Sequence, residues 1–147
     1  VVFLDQGVPV SSNAPIAGAM VSDAATGHVL LDLGSDEYTQ GRPHPMIDPA
    51  VREAEIVQSL ADPTVAVILL DVVIGYGAHP DPAGEIARVV LAAQKDRPVV
   101  VASVTGTDED PQGRKSQKEK LADAGILVAP SNADAAKLAL HCISRNA

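Results

Sequence analysis

Residues 65–77, Val-Ala-Val-Ile-Leu-Leu-Asp-Val-Val-Ile-Gly-Tyr-Gly, constrain this chain more than any other stretch. Among its first ten residues only Ala66 and Asp71 are not branched aliphatics. Apolar and polar residues do not alternate, so both faces of the segment need cover, which is the habit of a central strand in a parallel sheet. The run closes on Gly75-Tyr76-Gly77 and a few polar residues before Asp81-Pro82 opens a helix. Strand, flexible turn and helix N-terminus in that order belong to the carboxyl edge of an open α/β sheet, where ligands collect.

A chain of 147 residues is long enough to close one real core as a single domain. With aromatics at 2% and apolar residues at 46%, that core must be built from Val, Ile, Leu and Ala. The formal net charge of −8, from 19 acidic against 11 basic residues, argues against a nucleic-acid footprint, which needs a basic face, and against an anionic membrane surface. There is no signal-peptide pattern and no apolar run of transmembrane length. The single cysteine, Cys142, permits no internal disulfide; the expected compartment is the cytoplasm, and Cys142 reads as a small core hydrophobe on a helix.

Taken in order, the chain opens on residues 1–10, which read as the last turn of a helix with Gly7 as its C′ residue, or else as a short strand. A start in mid-helix implies a fragment of a longer chain. Residues 11–27 read as irregular, with Gly18, Ser22-Asp23 and Thr26 among the loop signals, and residues 28–34 as a short strand stopped by Gly34. Three prolines within residues 41–49 make a stiff extended loop. Asp48-Pro49 then starts a helix to about Leu60, Asp81-Pro82 a second to about Lys95, and Asp110-Pro111 a third to about Ala124. That third helix is very polar, and only Leu121 and Ala122 point inward. Strands are expected over residues 98–104 and 126–129, and Ser131-Asn132 caps a last helix to about Ser144. Alternating strands and helices predict a parallel sheet wound on both faces by right-handed crossovers.

The carboxyl edge of such a sheet gathers four loops, over residues 35–48, 75–81, 105–110 and 130–132. Candidate ligand-binding residues there are Arg42, His44, Gly75, Tyr76, Gly77, His79, Thr105, Gly106, Thr107 and Asp108. Helix N-termini aimed at one crevice bind anions through free N–H groups, and Arg42 and Arg52 add positive charge. The expected ligand is therefore a small anion. Asp71, His44 and His79 are candidate catalytic groups, while capping explains Asp48, Asp81 and Asp110. His28 and His141 read as surface or packing residues. No spacing of His, Cys and carboxylates suits a metal, the Gly75-x-Gly77 turn lacks the third glycine of a dinucleotide fingerprint, and there is no P-loop or nucleophile elbow.

The ordered motifs Asp32-Leu-Gly-x-Asp-Glu-Tyr-Thr39, Gly41-Arg-Pro-His-Pro-Met-Ile-Asp-Pro49, Leu69-Leu-Asp-Val-Val-Ile-Gly-Tyr-Gly-Ala-His-Pro-Asp-Pro-Ala-Gly84, Val104-Thr-Gly-Thr-Asp-x-Asp-Pro111 and Asp123-Ala-Gly-Ile126 together resemble the FdrA family. The likeness runs from about Ser11 to the C-terminus. FdrA proteins are similar to the α subunit of succinyl-CoA synthetase, and this chain resembles the last of their CoA-ligase-type domains. The resemblance implies a flavodoxin-like three-layer αβα sandwich with a mainly parallel, four- to five-stranded sheet. It implies acyl-CoA synthetase (acid–thiol ligase) chemistry in the whole protein, with CoA or acyl-CoA bound outside this domain and no cofactor within it.

Succinyl-CoA synthetases carry a phosphorylated histidine in the loop after the strand equivalent to residues 98–104; here that loop, residues 105–116, has no histidine. The resemblance therefore implies a domain inactive alone, partnered by the missing family domains or by another copy in a homo-oligomer. The first strand of the fold is also absent, and residues 1–4, or a strand from another copy, are expected to fill its slot. The association of FdrA proteins with purine breakdown implies an alternative, part of a carbamoyltransferase acting on oxamate with Arg42 and His44 orienting the carboxylate. A purely structural or oligomerisation module is a third reading.

Overall fold

The computed structural model describes residues 2–15, 17, 20–21, 27–94 and 96–146. Gly18, Ser22, Asp23, Thr26 and the expected helix end at Lys95 lie outside the described residues. The chain forms two compact units, Val1–His44 and Pro45–Ala147.

In the first unit, α1 (Val2–Asp5) is a helix end and not the strand that was to fill an empty slot. Gly7 stops it at φ 73°, donating its N–H to Leu4 O at 2.9 Å while Val8 N–H donates to Phe3 O at 3.0 Å. Those two bonds are the paired pattern of a glycine C-cap, as the sequence suggested. The expected irregular stretch carries two short strands, β1 (Val10–Ser12) and β2 (Met20–Val21), and with β3 (His28–Leu30) they make a parallel sheet in the order β2-β1-β3. A four-residue helix, α2 (Asp36–Thr39), follows. Asn13 holds the turn between them, accepting from Asp32 N–H at 2.7 Å and donating to Asp32 O at 3.0 Å.

The second unit runs α3 (Ala50–Ala61), β4 (Val67–Val73), α4 (Pro82–Ala92), β5 (Val99–Thr105), α5 (Arg114–Asp123), β6 (Leu127–Ala129) and α6 (Asn132–Asn146). Its sheet is parallel throughout in the order β4-β5-β6. Successive crossovers that step in one direction put α4 and α5 on the same face, where they pack on each other, with α3 on α4. α6 packs instead on β4, β5 and β6, so the arrangement is the expected α/β sandwich of three layers. Among the described residues the strands are distributed three and three between two sheets, where four to five in one sheet were expected.

β5 is the central strand, with its run from Val100 to Val104 buried. The aliphatic run of β4 was expected at the centre, yet β4 lies at one edge of its sheet, and its Leu69 and Asp71 are exposed. Aliphatic density shows that a strand is apolar on both faces; its neighbours are set by topology. The even-numbered residues Ile68, Val72, Val100, Ala102 and Val104 meet Ile86, Val90 and Leu121 in the main core. On the opposite face Val101 and Ser103 are buried, as are Ala135 and Ala139 of α6.

Candidate functional site

Three loops follow the carboxyl ends of β4, β5 and β6, and side-chain amides and a guanidinium tie them together. Gln112 donates to Gly75 O at 3.0 Å and to His79 O at 3.1 Å, and accepts from Gly75 N–H at 3.1 Å. Ile74 N–H donates to Thr105 O at 3.0 Å. Arg114 donates to Val104 O at 3.1 Å and to Pro130 O at 3.0 Å. The expected residues Gly75, Tyr76, Gly77, His79, Thr105, Gly106, Thr107 and Asp108 thus share one rim. Tyr76 stands 87% exposed at its tip.

The rim is locked from inside. Asp110 Oδ2 accepts from Thr107 N–H at 2.6 Å and from Thr107 Oγ1 at 3.1 Å. It therefore folds the loop and does not cap the helix as Asp-Pro suggested; α5 begins three residues later than Pro111, after Gly113 at φ 66°. Gly106 is at φ 143°, and a Cβ there would overlap the Ile74 side chain, so only glycine lets the loop pass this close to β4.

At α4, and in part at α5 and α6, the N–H groups expected to be free are already engaged. In α4, Pro82 has none, Ala83 N–H donates to Gln117 Oε1 at 2.9 Å, Gly84 N–H to Asp81 Oδ1 at 3.2 Å and Glu85 N–H to Asp81 O at 3.2 Å. In α5, Arg114 N–H donates to Thr107 O at 3.1 Å and Lys115 N–H to Asp108 Oδ1 at 2.5 Å. In α6, Asp134 N–H donates to Ser131 Oγ at 3.2 Å, as the expected cap. Asp81 also accepts from Gln117 Nε2 at 2.9 Å and pairs with Lys120 Nζ at 2.7 Å. Partial burial raises the Asp81 carboxyl, but the bonds from Lys120, Gln117 and Gly84 outweigh it and hold the group below the usual carboxylate range.

Asp71 lies exposed on the edge strand, accepting long bonds of 3.4 Å from Ser103 Oγ and Thr105 Oγ1. Arg52 on α3 is half-buried; desolvation lowers its guanidinium and the charge of Asp71 opposes that shift. His79 Nδ1 accepts from Asp81 N–H at 3.1 Å, which puts the proton of a neutral ring on Nε2. Its ring lines a cleft with Arg52, Glu53 and Glu85 of ≈ 10 Å³, no more than one water's room. Arg42 and His44 belong to the first unit and are exposed, with His44 packed so tightly on Gly34 that a Cβ there would sit 2.5 Å from Nε2. The rim residues all belong to the second unit. Among the described residues no three His, Cys, Asp or Glu side chains converge as metal ligands, and no helix is long and apolar enough to cross a membrane.

Sequence reasoning passed over Gln112, Arg114 and Gln117 as parts of a solvated helix surface. A signal was present for Gln117: it lies four residues before Leu121 and seven before Ala124, and all three are buried along one stripe. For Gln112 the signal is only its chemistry, since an amide holds its donor and acceptor side by side and can grip an N–H and a carbonyl together.

Comparison with known proteins follows from this architecture. The uncharacterized protein YahF of Escherichia coli (strain K12) is 39% identical over 124 residues, 80% of this chain and 24% of the relative. The chain thus spans about a quarter of that relative's length. Residues 12–142 match the CoA-ligase family, a stretch that takes in both compact units, and the chain belongs to that family.

Proposed function

We propose that this chain is the ligase-type domain of an FdrA-like protein related to the α subunit of succinyl-CoA synthetase, and that alone it carries no phosphoryl group. The observation behind this reading is the loop after β5. It contains no histidine, and two of its three carboxylates are taken within the protein, Asp110 by Thr107 and Asp108 by Lys115 N–H, while Glu109 stays exposed. The one histidine of the rim, His79, lines a cleft without space for a phosphoryl group. With every α4 N–H engaged, the rim needs donors from other domains of such a protein, or from another copy, to hold a small anion. Loops 75–79 and 105–108 are then the surface it offers, held rigid in advance by Gln112.

Calorimetry with CoA, succinyl-CoA, carbamoyl phosphate and oxamate tests this, together with retention of labelled phosphate from ATP. The expected outcome is heat from a CoA compound and no retained phosphate. Heat from oxamate or carbamoyl phosphate instead would replace the proposal with the carbamoyltransferase reading. Silence from all four would leave an oligomerisation module.

A further inference from the structure

A second feature lies outside the rim's ligand surface. Arg114, Lys115, Lys118 and Lys120 supply 4 of the chain's 11 basic residues within one helix of a protein of net charge −8. Lys120 is engaged by Asp81, but the other three line an open groove of ≈ 420 Å³ between α5 and β6, floored by Ala122 and Val128. Helix stability does not explain the arrangement. The first turn of α5 has no acidic residue and begins with two cations, the reverse of what the helix dipole favours. Arg114 is fixed by its bonds to Val104 O and Pro130 O, which leave further N–H groups on its guanidinium to donate. Lys118 is half-buried and forms no ion pair among the described residues. Glu119 is the one carboxylate of the lining, and its only contact there is a loose 4.0 Å approach to Lys115.

We propose that this groove binds a small phosphate-bearing anion, its phosphates on Lys115, Lys118 and Arg114 and its uncharged body over Ala122 and Val128. Two or three cations facing one phosphate group give charge-assisted bonds that neither the rim nor any other described cleft offers. Arg114 also ties the rim loops through its bonds to Val104 O and Pro130 O, so Lys115 and Lys118, which belong to no rim loop, are the cations that tell the two sites apart.

The test is titration of the whole chain with pyrophosphate and with ADP, followed by amide NMR. Shifts at Lys118, Ala122 and Val128 are expected, whereas shifts confined to residues 75–79 would place the anion on the rim and overturn the proposal. The double variant Lys115→Gln/Lys118→Gln should weaken binding about tenfold or more, as expected for loss of two charge-assisted contacts. Glu119→Gln should tighten it, and Lys137→Gln on α6 should leave it unchanged. Equal binding by all variants would overturn the assignment, as would groove shifts that follow protein concentration and not pyrophosphate, the sign of an acidic protein surface in the groove.

Discussion

Gln117 closes the N-terminus of α4 from a different helix, so replacing it acts on two elements at once. Gln117→Leu leaves Ala83 N–H without an acceptor in a buried setting and strips a donor from Asp81. A loss of about 2 kcal/mol in denaturant unfolding is expected. Arg88→Ala, which removes exposed pairs to Glu53 and Glu85, should change stability little by the same measurement. Gly106→Ala combines a φ of 143° with a Cβ driven into Ile74, whereas Gly77→Ala meets open space at φ 83°. The first should cost about 1–3 kcal/mol and clearly more than the second. Asp81 also links folding to pH. Its carboxyl titrates lower when folded than unfolded, so its contribution is complete above about pH 4, the unfolded value, and is lost as pH falls through the folded one. Melting temperature should therefore drop less between pH 5 and pH 3, about one unit either side of that value, in Asp81→Asn than in the parent chain.

At the scale of elements, the helices and strands of the second unit were readable because two cues coincide there. Aliphatic runs mark β4 and β5, and Asp-Pro steps mark the starts of α3 and α4, where Asp48 and Asp81 accept from Ala50 and Gly84 N–H. The same step failed at Asp110, because the Thr107 N–H and hydroxyl captured the carboxylate before a helix could use it. β1 and β2 escaped notice because three and two residues are too few to show a period. The edge position of β4 was not readable, and it carries a consequence. Among the described residues β5 alone pairs with it, and Leu69 is 39% exposed. Asp71 is the single charge on this aliphatic edge, and an edge so lightly guarded recruits other strands. Sedimentation velocity should show association that rises with concentration, and Leu69→Lys should suppress it without altering the circular dichroism spectrum. Monomers at every concentration would argue that the edge is already protected.

For the whole molecule, the two compact units differ in what can hold them folded. Every residue of the main hydrophobic core, from Ile56 to Ile126, belongs to the second unit. In the first, Ser11 and Ser12 are the buried polar residues, and Val29, Leu30 and Leu31 stand exposed. The motifs that carry the family likeness run through both units without a break, so nothing in them marks that apolar burial is concentrated after residue 45. Composition averages over this difference: the 46% apolar fraction describes a chain whose core is not evenly shared. A segment of about 100 residues with a continuous core lies within the size that folds alone, whereas one near 40 residues without a disulfide or metal does not. Residues 45–147, produced separately, should therefore unfold cooperatively in urea and keep the α4–α5 amide bonds protected from hydrogen exchange. Residues 1–44 produced separately should show no cooperative transition. If the larger piece proved unfolded on its own, the core drawn from α3 to β6 would be insufficient, and the first unit would have to supply part of its stability.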